Sequence, residues 1–213
     1  MAMTGFDPSV VGTSIKAVDN AYKELVNQLG NEMQTKFVNG MADKWACVNA
    51  QTFFRDAFKP SVDELINNSN RVFESVIQAM NSAGRAWASS TGSSYSQVSF
   101  SVIDKKMDIG NIRENIGGVR GIDLQSTNSV INQLPVIATS AGQALTSAQQ
   151  AVQNCGFIGG NQASNLISSL GTIKSRINSA VTDLTNEAKS AMEQTVSTYT
   201  DTEGQVSKAF QAE

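Results

Sequence analysis

The groups in this sequence that could do chemistry are two thiols (Cys47 and Cys155), three phenols and nineteen carboxylates; histidine is absent. Without imidazole the chain lacks the commonest general base and the commonest metal ligand. Two cysteines are too few for a zinc site of the usual Cys/His kind or for a disulfide scaffold. No Gly-rich phosphate loop follows a strand, and no nucleophile has an evident base. The expectation is a non-enzymatic protein with no cofactor and no metal. Sixteen Lys+Arg against 19 Asp+Glu give a net charge of −3, which argues against a nucleic-acid binder.

The elements that must position these groups are helices. Val11, Ile15, Val18, Tyr22, Leu25, Leu29, Met33, Phe37 and Met41 step by three or four residues, the spacing of one helix face. A turn is predicted near 40–47. A second stripe follows through Ala50, Phe54, Phe58, Val62, Leu65, Ser69, Phe73, Val76, Met80 and Ala83 to Trp87, with Pro60 expected to kink or break it. Residues 96–121 read as a connector rich in Ser and Gly, with Val98, Phe100 and Val102 alternating in strand fashion and room for a short helix. Thr127, Ile131, Leu134, Ala138, Ala141, Leu145, Ala148 and Val152 keep a 3.5-residue period, as in coiled coils. After a Gly-rich turn at 154–160 the last stripe runs from Leu166 to Thr195 and reaches Tyr199. Two hairpins, in 1–95 and 122–213, must close on each other to bury these stripes. The predicted fold is an all-α four-helix bundle, a pseudo-dimer within one chain.

The two turns are similar to each other. Trp45, Cys47 and Asn49 align with Phe157, Gly159 and Asn161. The pattern resembles the Trp-x-Gly turn of the WXG (ESAT-like) family, small helical hairpins secreted by type VII (ESX) systems. Cys47 stands where the family has Gly, and Phe157 where it has Trp. Near the C-terminus, Tyr199 and Glu203 form a Tyr-x-x-x-Glu element. With Val206 and Phe210 it resembles the family's hydrophobic–acidic–hydrophobic–hydrophobic export signal, and spacings of 4, 3 and 4 put all four on one helix arc. The resemblance implies a tandem fusion of two units, folded in the cytoplasm of a Gram-positive bacterium. Its tail would be recognised by a membrane-bound FtsK/SpoIIIE-type ATPase, and the chain secreted by a signal-peptide-independent route. Met1 to Ser14 carries no signal-peptide pattern, and no apolar run is long enough to span a membrane. The free protein is expected to be a monomer that is internally pseudo-dimeric. A structural coiled-coil adaptor and a membrane-active helical pore-former are the alternatives.

The cysteines bear on topology. If the hairpins pack antiparallel, the arrangement favoured here, the two turns lie at opposite ends. Cys47 and Cys155 are then free thiols beyond the roughly 7 Å reach of a disulfide.

Overall fold

A computed structural model describes residues 6–211, with the side chains of 203, 204 and 206–211 outside the description. Helix α1 covers Pro8–Val26 and continues without a break through a π-helical stretch, Asn27–Val38, to a last α-turn, Asn39–Met41. Helix α2 starts as Val48–Thr52, passes through π-helical Phe53–Phe58 and runs on as Lys59–Thr91. The short α3 (Leu124–Ile131) leads into α4 (Gln133–Asn154), and α5 is Gly160–Gln211. Two short strands, β1 (Trp45–Ala46) and β2 (Gly121–Ile122), pair antiparallel.

The π-helical stretches follow from apolar spacing. Leu25, Leu29, Met33, Phe37 and Met41 are four residues apart, and on an α-helix each such step drifts about 40° around the axis. Four steps would carry Met41 to the far side. A π-helix holds more residues per turn because its bonds run from i to i+5, and all five side chains are fully buried. The run Ala50, Phe54, Phe58 and Val62 in α2 has the same spacing and the same result. Pro60 neither breaks nor ends that helix. It occupies the first turn of the α-helical stretch, just after the π-turn in which the Lys59 N–H donates to Phe54 O.

One irregularity does trace to proline. The third stripe is divided at Asn132, because Pro135 has no N–H to offer the Ile131 carbonyl and its ring crowds that group. Asp7 caps α1, accepting from Ser9 N at 2.8 Å, and Asp123 caps α3, accepting from Ser126 N at 3.0 Å.

Helix α1 is flanked by α2 and α4, and so is α5 across the bundle. The turn after α1 meets the C-terminal half of α5, where Trp45 reaches Thr195. The turn after α4 meets the other end of the bundle, where Trp87 donates to Phe157 O. Flanking helices therefore run antiparallel. The two hairpins form a four-helix bundle with one long crossover.

That crossover, residues 93–120, is an extended strap on the outer groove between α1 and α2, and no helix forms in it. Val98 lies level with Asn81 and Ile112 level with Gln51. The 30 helical residues from Gln51 to Asn81 span roughly 45 Å. Fourteen strap residues cover that distance, about 3.2 Å each, which is close to full extension. Strap backbone groups find side chains instead of a strand partner. Asn81 Oδ1 accepts from Val98 N and Asn81 Nδ2 donates to Val98 O, both at 3.0 Å. Ile103 N donates to Tyr22 Oη at 2.7 Å, Tyr22 Oη donates to Asn70 Oδ1 at 2.8 Å, and Asn70 Nδ2 donates to Ile103 O at 3.3 Å. Asp63 Oδ1 accepts from Met107 N at 2.8 Å while Lys59 Nζ donates to Met107 O. Gln34 receives Asp108 N at 2.9 Å and donates to Asp108 O at 2.7 Å.

Candidate functional site

The first turn and the last helix meet at one end of the bundle. Trp45 lies in β1, opposite Ile122 of β2, so the end of the strap fixes its backbone. Its side chain is fully buried and stacks on Phe53 at 6.0 Å. The indole Nε1 donates to Thr195 Oγ1 at 3.3 Å, and Asn49 Nδ2 donates to the same oxygen at 3.3 Å. The Thr195 hydroxyl donates to Ala191 O at 2.8 Å, so its proton and both lone pairs are used. Cys47 Sγ lies 3.5 Å from the same oxygen. One threonine of the second hairpin thus accepts hydrogen bonds from two residues of the first hairpin's turn and touches a third.

Cys47 has φ −169° and ψ 174°, fully extended backbone that any residue adopts. Nothing at this position needs a glycine. The second turn differs. Its left-handed residue is Gly156, at φ +71°, ahead of Phe157. Gly159 has no crowding that would exclude a Cβ, and its carbonyl accepts from Ala163 N at 2.9 Å to start α5. Asn161 is exposed. Phe157 is half-buried, with ring centroids 5.2 Å from Phe6 and 6.2 Å from Trp87, and its carbonyl accepts the Trp87 Nε1–H at 2.7 Å. The two turns are therefore built differently, one around a threonine hub and the other around an aromatic cluster. Phe6 carried no sequence signal, and Trp87 none beyond ending the second stripe.

Tyr199 stands one helical turn beyond Thr195. It lines an open pocket of about 250 Å³ with Cys47, Val48, Asn49, Arg120, Thr195 and Thr198. Partial burial raises its hydroxyl pKa, proximity to the Cys47 sulfur adds to the rise, and the Arg120 guanidinium opposes it. Arg120, contributed by the strap, pairs with Glu114 at 2.6 Å. Helix α5 continues twelve residues past Tyr199, roughly 18 Å. The side chains of Glu203, Val206 and Phe210 lie outside the described residues. Thr195 was legible as a polar residue within an apolar stripe, but its partners were not.

Cys47 and Cys155 are free and buried. Some 40 helical residues, Val48 to Trp87, separate the levels at which they lie, about 60 Å, which places them far beyond disulfide reach. Among the described residues, no three or more His, Cys, Asp or Glu gather where they could hold a metal ion. No described helix is long and apolar enough to cross a membrane. No protein-family model, curated protein or solved structure matches this chain.

Proposed function

We propose that this chain is a non-enzymatic secreted substrate of a bacterial type VII secretion system, a tandem fusion of two WXG-like hairpins. The observation that carries this reading is the meeting of Tyr199 with the Trp45 turn. The phenol that opens the Tyr-x-x-x-Glu element shares a pocket with Cys47, Val48 and Asn49 of the first hairpin's turn. The turn of one unit and the tail of the other thus form a single surface. The helix bearing Glu203, Val206 and Phe210 continues from that surface, beyond the level of the turn.

A membrane-bound FtsK/SpoIIIE-type ATPase reads this end of the bundle, with the amphipathic tail docking helix-in-groove. Export follows folding in the cytoplasm and needs no signal peptide. Fusion replaces the usual dimer with one chain. Linked hairpins see each other at millimolar effective concentration, so their pairing does not depend on expression ratio. The free protein is a monomer with an internal pseudo-dimer.

The test is a secretion assay in the native host with and without the ATPase gene. Accumulation in the medium that depends on the ATPase supports the reading. Equal release from both strains refutes it.

A further inference from the structure

Helix α5 carries an apolar stripe across the end of the bundle. Met192, Val196, Tyr199, Glu203, Val206 and Phe210 step by 4, 3, 4, 3 and 4, so a single carboxylate interrupts a coiled-coil seam. Tyr199 lines a pocket with Cys47 and Asn49, and the backbone stays helical beyond it to Gln211. A helical segment this short draws its stability from packing an amphipathic face. Gly204 lowers the overhang's own propensity further.

A surface for that face lies on the same helix, just before Tyr199. An open groove of about 420 Å³ separates α3 from α5, lined by Leu124 and Asn128 on one side and by Met192 and Val196 on the other. Leu124, a large aliphatic side chain, is 43% exposed at its edge.

One operation, a two-fold axis, brings overhang and groove together. Spacings of 4, 3, 4, 3 and 4 are unchanged when the helix is reversed about position 201, as an antiparallel pair of identical helices requires. The axis sets Phe210 of one copy against Met192 of the other, Val206 against Val196, and Glu203 against Tyr199. Each overhang then falls level with the other copy's groove. The carboxylate of the stripe meets a phenol, which can donate to it. Thr200 and Thr202 flank the stripe beside the axis, so no like charges face each other there.

We infer that two copies of this chain pair through their α5 ends, antiparallel and isologous, each overhang seated in the other's groove between α3 and α5. The contact is small and gives a weak pair, with a Kd on the order of 10 µM. Below that concentration the chain is a monomer. Pairing covers Tyr199, Glu203, Val206 and Phe210. On the export reading, on which this consequence rests, only the unpaired chain is open to the ATPase.

Sedimentation equilibrium of the full-length protein from roughly 1 to 200 µM reads the pairing. The mass should rise from that of one chain toward that of two. Leu124→Ser alters the groove and leaves the tail intact, whereas Val206→Ser with Phe210→Ser does the reverse. Each should weaken pairing roughly tenfold or more, with helicity by circular dichroism unchanged. Because the native thiols are buried, a short bismaleimide can report on added ones. It should link two copies of Thr200→Cys, which stand beside the axis. It should not link Glu193→Cys, whose two copies the axis sets roughly 20 Å apart. A protein that stays monomeric across the range would overturn the inference. So would pairing that both sets of serine variants leave unchanged, or linkage of Glu193→Cys as readily as of Thr200→Cys. None of these readouts involves secretion, so a failure of pairing and a failure of the export reading are separate results.

Discussion

Trp45 and Thr195 are 150 positions apart in sequence, and a 3.3 Å hydrogen bond joins the indole N–H of one to the hydroxyl of the other. Both side chains are almost wholly inaccessible. The bond crosses between the hairpins, and the same hydroxyl accepts from Asn49. Thr195→Val keeps the shape and removes the acceptor, leaving a buried indole N–H without a partner. The expected loss is about 1–3 kcal/mol in urea unfolding. Made in a Trp45→Phe background, the same substitution should cost less, with a coupling of about 0.5–3 kcal/mol in a double-mutant cycle.

The strap disfavours any side chain at position 84. A Cβ there would lie 2.7 Å from Cζ of the Tyr95 ring. Gly84→Ala gains about 1 kcal/mol in helix propensity, and the clash costs about 1–3 kcal/mol. The clash should win. Thermal unfolding should show a lower Tm, and amides around Tyr95–Val98 should exchange faster as the Tyr95–Asn81 bond is lost.

Two aspartate caps make the bundle acid-sensitive. Hydrogen bonds from Ser9 to Asp7, and from Ser126 to Asp123, hold both carboxyls below the ordinary carboxylate pKa. A depressed folded pKa contributes stability that is present above the unfolded value and is lost as pH falls through the folded one. Urea midpoints should therefore drop below about pH 4. Asp7→Ala with Asp123→Ala should flatten that part of the profile.

Tyr22 makes the opposite prediction at high pH. Burial raises its pKa above 10.0, with Asp19 adding to the rise and the Ile103 N–H opposing it. A raised folded pKa means stability that is full below the unfolded value, near pH 10, and lost as pH climbs through the folded one. Ionisation also removes the proton donated to Asn70 Oδ1, which holds the middle of the strap. Amide exchange of the strap, corrected for its intrinsic pH dependence, should rise above pH 10 before the helices loosen. Tyr22→Phe should abolish that pH dependence.

The helices were legible because burial imposes a period. The four-residue steps from Leu25 to Met41 even carry the mark of the π-helical stretch, since an α-helix could not keep those five residues buried together. Pro60 does not break its helix, because it stands in the first turn after a π-turn, whereas Pro135 splits its stripe by depriving the Ile131 carbonyl. The strap was opaque for a different reason. Its partners, Gln34, Asp63, Asn70 and Asn81, are polar residues whose contacts are set by tertiary packing and have no period of their own. In the candidate site, Trp45 and Tyr199 stood out by motif. Their nearness depends on antiparallel packing, which hydrophobic spacing alone leaves open.

We propose that the tail beginning at Tyr199 is an export signal, and release into the culture medium is the readout of that claim. Tyr199→Ala and Glu203→Ala should each sharply reduce export from the native host, while the intracellular protein keeps its helicity and its unfolding midpoint. Export at the unaltered level from both variants, with folding intact, would contradict the claim.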